Sequence, residues 1–248
     1  AQALERARLY EAEREARVQA EAAVRARDAF FSIAAHELKT PLTSLLGQAQ
    51  LLQRRMVREG LAEERFLQSI DVVVSQAMRL NAMVSALLDF TRIEQGRLSL
   101  QRAPLDMTEL VQRVVAEIQL TLSSHTLVFD PASGAERLMI DGDELRLEQV
   151  VQNLIGNAIR YSPGGGTVLV RVERRPPWAS LQVVDRGIGV PADDLPHLFT
   201  RFFRASNASL AHMSGLGIGL YVVKEIVGLH GGSVSVESTE GEGSSFSV

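Results

Sequence analysis

Within Phe30-Phe31-Ser32-Ile33-Ala34-Ala35-His36-Glu37-Leu38-Lys39-Thr40-Pro41-Leu42-Thr43, a histidine stands beside an acid. It comes one helical turn before a hydroxyl and just ahead of a proline. A neutral imidazole can act as nucleophile or base near neutral pH, and a neighbouring carboxylate can fix its tautomer. The pair is not a zinc-protease motif, because Thr40 stands where a second histidine would be needed. At about 100° per residue, His36 points roughly 130° away from the stripe of Leu38, Leu42 and Leu45. It therefore faces solvent, with Thr40 one turn on along the same face. Pro41 removes a backbone donor and is expected to kink the helix just past His36.

The second half carries residues suited to a nucleotide. Asn153 and Asn157 lie one turn apart on a helix whose other side is Val150, Val151, Leu154, Ile155, Ala158 and Ile159. Arg160 and Tyr161 return to the asparagine face. An asparagine amide oxygen can serve Mg²⁺ held between phosphates, or these amides can simply satisfy buried backbone groups. In Asp185-Arg186-Gly187-Ile188-Gly189 an acid at a strand end precedes two glycines. The glycines let a flat ligand approach the backbone, and a carboxylate accepts from an exocyclic amine such as that of adenine. Gly215-Leu216-Gly217-Ile218-Gly219-Leu220 runs into a helix whose N-terminal amides suit phosphate. The spacing is neither the dinucleotide fingerprint nor a P-loop. Leu198-Phe199-Thr200-Arg201-Phe202-Phe203-Arg204 reads as an aromatic base for a polar lid, with Arg201 and Arg204 able to reach phosphate, or as a surface loop with two core phenylalanines.

Long elements must position these groups. Residues 1–30 contain neither Gly nor Pro and are rich in Ala, Glu and Arg, which favours a long helix. Leu38, Leu42, Leu45, Ala49, Leu52 and Met56 then form one apolar stripe. Phe66, Ile70, Val73, Ala77, Leu80, Val84 and Leu87 form a second, after a break at Arg58-Glu59-Gly60. Two striped helices make a hairpin, and one hairpin buries two such stripes poorly. A homodimeric four-helix bundle solves this. Composition shifts at Arg92–Arg97, a candidate hinge. Beyond it we read a strand at 97–102, a helix capped by Asp106 or Thr108 and running to about residue 122, and a strand at 126–130. A helix at 145–161, strands at 167–173 and 179–185, a helix at 219–229 and strands at 233–238 and 244–248 follow. The pattern is a two-layer α/β sandwich.

The net charge of −4 does not suggest nucleic-acid binding, and the absence of cysteine excludes thiolate chemistry. No stretch approaches the roughly 18–20 uncharged apolar residues that span a bilayer. No secretory leader is read, and the chain is expected to be a cytoplasmic piece of a longer protein, without direct membrane contact of its own. His125, His197, His212 and His230 have no metal-ligand spacing, and His230 reads as a helix-end residue.

Taken in order, these segments resemble the sensor histidine kinases of two-component signalling. Residues 28–43 are similar to the family's H box, 148–162 to its N box, 185–190 to its G1 box, 198–204 to its F box and 215–220 to its G2 box. Gly241-Glu242-Gly243-Ser244-Ser245-Phe246 is similar to the last glycine motif. The resemblance implies a helical linker over 1–27, a dimerisation and phosphotransfer domain over 28–93, and an ATP-binding domain of the Bergerat type over 94–248. It makes His36 the phospho-acceptor, Glu37 the acid that sharpens its nucleophilicity, and Thr40 the group that orients water for phosphatase activity. Asn157 would bind Mg²⁺ with support from Asn153, Arg160 would meet phosphate and Tyr161 would lie against the nucleotide. Asp185, Gly187 and Gly189 would form the adenine side. Arg204, Gly215, Leu216, Gly217, Gly219 and Leu220 would form the phosphate side. The implied activity is ATP-dependent phosphorylation of His36, followed by transfer to a response-regulator receiver domain. Arg160 replaces a commoner lysine, and Arg186 takes a position that is often Asn or Thr. A Bergerat-fold ATPase is a different reading, but such enzymes carry an acid where Asn153 stands. A catalytically silent dimeric scaffold is another, and it leaves the intact motifs unexplained.

Overall fold

The computed structural model describes residue 14 and residues 38–39, 41–51, 63–132, 137–210, 213 and 216–248. Two compact units divide the chain, Ala1–Val84 and Ser85–Val248. The sequence readings at His36, Glu37, Thr40, the break at 58–60, His212 and Gly215, and nearly all of the 1–30 helix, lie outside the described residues.

The first unit is helical wherever it is described. Residues 41–51 form a helical run, and Thr43 Oγ1 donates to the Lys39 carbonyl at 2.8 Å. The second helix, α1 (Glu63–Glu94), contributes its earlier turns to this unit and its last turns, from Ser85, to the second. Apolar side chains remain exposed in the single chain, among them Leu42 (48%) and Leu46 (55%). Among the described residues no helix is long and apolar enough to cross a membrane.

The candidate hinge at 92–97 is a capped helix end. The Gly96 amide donates to the Ile93 carbonyl at 2.9 Å and the Arg97 amide to the Arg92 carbonyl at 2.8 Å. This pair of bonds, with Gly96 at φ 62°, is a Schellman stop. The composition shift therefore marks a termination signal, since glycine reaches the left-handed region without steric cost.

The second unit is the α/β sandwich. β1 (Ala103–Asp106) pairs antiparallel with β3 (Met139–Gly142) as a separate ribbon. The main sheet has the order β2-β4-β5-β7-β6, with β2 (His125–Pro131), β4 (Gly166–Arg175), β5 (Trp178–Asp185), β6 (Ser235–Thr239) and β7 (Gly243–Ser247). β2 and β4 run parallel, and the other described pairs run antiparallel. The helices are α2 (Met107–Gln119), α3 (Glu144–Arg160), the short α4 (Ser206–Leu210) and α5 (Gly219–Leu229).

One sheet face is apolar by strand alternation. Val168, Val170 and Val172 of β4, Leu181 and Val183 of β5 and Phe246 of β7 are buried. Helices cover that face with Leu110, Val111 and Val114, with Val150, Val151, Leu154 and Ile155, and with Val222, Val223 and Ile226. Asp106 caps α2, its carboxylate accepting from the Thr108 and Glu109 amides, so of the two candidate caps Asp106 performs the role. Two local readings change. Residues 97–102 are not a strand, because pairing begins at Ala103. β3 had no clear signal, being four residues long and paired only on one edge.

Candidate functional site

The site is built on α3, the end of β5, and the start of α5. Asp143 anchors α3: its Oδ1 accepts from the Arg146 amide at 3.1 Å and its Oδ2 from the Gln101 amide at 2.7 Å. His230 locks this cap from α5. Its Nδ1 donates to the Ile226 carbonyl at 2.8 Å and its Nε2 accepts from the Asp143 amide at 3.0 Å, which requires the neutral ring.

Asn153 sits on the polar side of α3. Its amide nitrogen donates to the Gln149 carbonyl at 3.0 Å. Its oxygen is turned toward α5, 3.2 Å from where a Cβ on Gly219 would stand. The packing thus brings the helix asparagine against the glycine that opens α5. Asn157 and Tyr161 are half-buried further along α3, and Arg160 is exposed. No described residue forms a hydrogen bond or ion pair with the side chains of Asn157 or Arg160.

Asp185 ends β5 and is 5% exposed. Its Oδ1 accepts from the Gly187 amide at 2.8 Å. Burial pushes its carboxyl above the ordinary range, and hydrogen bonds from the Gly187 and Ser244 amides pull partly back. No salt-bridge partner among the described residues neutralises it, so acceptor capacity remains for a ligand donor.

The glycines after Asp185 are required by close backbone packing. A Cβ on Gly187 would stand 2.1 Å from the Tyr161 carbonyl oxygen, and one on Gly189 would stand 2.0 Å from that of Thr239. The Ile188 amide donates to the Tyr161 carbonyl at 2.9 Å, and the Gly241 amide donates to the Ile188 carbonyl at 2.8 Å. The turn is therefore pinned to the end of α3 on one side and to the β6–β7 turn on the other.

On the phosphate side, α5 begins without a side-chain cap, so its first amides are available to an anion. Leu216 and Ile218 are buried, and Leu220 is half-buried. The Phe202 amide donates to the Gly217 carbonyl at 2.9 Å, joining the aromatic segment to the glycine segment. Phe202 has φ 65°, a left-handed conformation unusual for this residue type. Arg204 bonds to the Met213 carbonyl through Nη2, while its Nε is buried without a hydrogen-bond partner among the described residues. It therefore ties the aromatic segment to Met213.

Sequence patterns missed three contributors. Asp89 and Glu94, near the end of α1, bond to α3 and to the aromatic segment. Asp89 accepts from Arg146 at 2.9 Å and Gln149 at 2.7 Å, and Glu94 accepts from Arg201 at 2.5 Å and Tyr221 at 3.0 Å. The third is His125, whose Nε2 lies 2.8 Å from the Ser162 carbonyl oxygen. Its place at the start of a strand was the one available signal.

Comparison with known proteins gives two family matches. Residues 26–96 match the His Kinase A (phospho-acceptor) domain, and residues 142–248 match the Histidine kinase-, DNA gyrase B-, and HSP90-like ATPase. The circadian input-output histidine kinase CikA of Synechococcus elongatus is 33% identical over 92% of this chain and 30% of its own length. The chain spans about a third of the length of the curated relatives it matches. Among solved structures, the mycobacterial sensor histidine kinase MprB is 30% identical with a TM-score of 0.50, over 59% of this chain and 94% of that one. The Acinetobacter baumannii histidine kinase AdeS is 26% identical with a TM-score of 0.60, over 86% of this chain and 95% of that one.

Proposed function

Because the chain belongs to the sensor histidine kinase family, we propose that it moves the γ-phosphoryl group of ATP to His36 and then to an aspartate of a response-regulator receiver domain. The observation that carries the nucleotide half is the buried Asp185 carboxylate, pinned through Gly187 and Ile188 to the end of α3, with the uncapped start of α5 packed against Asn153 of the same helix. The acceptor half rests on His36 within the segment that matches the phospho-acceptor domain.

In the first step a ring nitrogen of His36 bonds to the γ-phosphorus. The bond from that phosphorus to its bridging oxygen breaks, and ADP leaves with the electron pair. Glu37 holds the ring by its other nitrogen and stabilises the positive charge that develops. In the second step an aspartate oxygen of the receiver displaces the imidazole, which leaves as the neutral ring. The rest of the work is positioning and charge neutralisation.

Asp185 accepts from the adenine amine, while Gly187 and Gly189 let the turn pack closely enough to hold that carboxylate in place. Gly215, Gly217 and Gly219 bring backbone amides to the phosphates, and Arg160 and Arg204 add charge. The unpartnered amide of Asn157, with Asn153 behind it, fits a Mg²⁺ held between phosphates; the ion would neutralise charge on the transferred group. A reaction of this kind takes place on the cytoplasmic side, where ATP is available. Thr40 gives the same site a second activity, orienting water to hydrolyse the phosphorylated regulator.

The test is incubation with γ-labelled ATP and a panel of receiver domains. Label is expected on the chain and then on a receiver, and a chase reads its loss from that receiver. His36→Gln is expected to abolish labelling, at least a hundredfold down, while ADP binding persists. Acid-labile label retained by that variant would overturn the assignment of His36.

A further inference from the structure

We propose that Ser162 is a second base-reading residue, whose hydroxyl donates to the ring nitrogen beside the amine that Asp185 accepts from. The proposal rests on the ATP-site reading above and deepens it.

Ser162 is 4% exposed, and its Oγ has no hydrogen-bond partner among the described residues. A buried hydroxyl without a partner is costly and uncommon, so a fixed one at a binding site marks a place for a ligand. The hydroxyl reaches to 2.8 Å from where a Cβ on Gly187 would stand. The amide of that same glycine bonds to Asp185. A carboxylate and a hydroxyl therefore flank one residue that has no side chain to separate them.

The position of Ser162 is held from several sides. Its carbonyl oxygen lies 2.8 Å from His125 Nε2 and accepts from the Gly165 amide at 2.9 Å. The other ring nitrogen of His125 lies 3.1 Å from Ser124 Oγ. The Ser162 amide donates to the Ile159 carbonyl at 3.3 Å. These bonds fix the backbone and leave the hydroxyl free to serve a ligand.

The chemistry of the pair fits one base. The pairing edge of adenine offers an amine donor next to the N1 acceptor. An ionised carboxylate only accepts, whereas a serine hydroxyl can donate. Guanine offers the reverse order, a carbonyl next to an N–H, and would set its oxygen against Asp185.

Calorimetry with ADP and 1-deaza-ADP, which lacks only the N1 acceptor, tests the assignment. The unsubstituted chain is expected to bind the deaza analogue about three- to tenfold more weakly than ADP, the worth of one neutral hydrogen bond. Ser162→Ala is expected to lose the same factor with ADP and none with 1-deaza-ADP. Ser162→Thr, which keeps the hydroxyl, is expected to bind ADP within about twofold of the original. Equal losses for both ligands in Ser162→Ala would assign the hydroxyl to structure and overturn the proposal. The comparison of two ligands on one variant is insensitive to the fraction of protein that is folded. Absence of ADP binding by the unsubstituted chain would instead overturn the ATP-site reading itself.

Discussion

At the scale of single residues, Asp185 links stability to function with opposite signs. Burial raises its carboxyl in the native state, so the folded chain keeps this proton to higher pH than the unfolded chain does. The associated stability is complete below the ordinary carboxylate range and is lost as pH rises through the native value. Above the native value the buried charge is a cost to the fold. Asp185→Asn is expected to melt at a higher temperature than the original at neutral pH, with the gap closing as pH falls below the ordinary carboxylate range. ADP affinity is expected to fall roughly ten- to a hundredfold, as for loss of a charge-assisted bond. Calorimetric melting and titration across pH check both, and a variant no more stable at neutral pH would contradict the burial account. Asp185 was legible in the sequence because an acid followed by two glycines is a local pattern. Ser162 and His125 were not legible as a unit: their contact joins residues far apart in the chain, and no local spacing encodes it.

At the scale of elements, the last turns of α1 behave as part of the ATP-binding unit. Asp89 is buried and bonded to both Arg146 and Gln149, and Gln149 supplies the carbonyl that holds Asn153. Phe90 packs edge-on against Phe202 with ring centroids 5.1 Å apart, and Tyr221 lies 6.0 Å away. Glu94 joins Arg201 to Tyr221. The helix end thus touches the asparagine helix, the aromatic segment and α5 together. Asp89→Ala would leave the Arg146 guanidinium largely buried without its carboxylate, a loss of about 2–3 kcal/mol. Urea unfolding followed by circular dichroism is expected to shift to lower denaturant. An unchanged midpoint would show that the contact contributes nothing. The helices around this contact were readable because each has an apolar period near 3.6, and the 219–229 helix matches to the residue. At 92–97 the composition shift coincides with the Schellman stop that ends α1, since glycine supplies the left-handed residue such a stop needs. Between β5 and α5, a 3-10 helix at Ala192–His197 is fastened to α4 where Asp194 accepts from the Ser206 amide and hydroxyl at 2.8 Å.

At the scale of the whole molecule, we propose that the apolar side chains left exposed on the helices pack against a second copy. Leu42, Leu46 and Val74 are exposed in the first unit, and Leu88 (52%) is exposed on α1 in the second. Leu42 belongs to the stripe read from the sequence, whereas Leu46 widens it by one position. A face of this width suits a bundle better than a narrow two-helix seam. Burying one leucine side chain is worth about 1.5–3 kcal/mol, and a homodimer buries each position twice. Leu46→Glu replaces that gain with two carboxylates on one apolar seam. The dissociation constant is therefore expected to rise by at least a hundredfold, which sedimentation equilibrium would read as a shift from dimer to monomer. Because the ATP-binding unit has its own core around α3 and the five-stranded sheet, ADP affinity is expected to stay within about twofold while self-association is lost. Labelling of His36 by γ-labelled ATP then separates two arrangements of the same parts. If phosphate passes within one chain of the pair, mixing Leu46→Glu monomers at increasing concentration leaves the rate per chain unchanged. If it passes between chains, the rate per chain rises with concentration as the weakened dimer re-forms. A variant that remained fully dimeric would remove Leu46 from the interface and return the assignment to the narrower stripe of Leu38, Leu42 and Leu45.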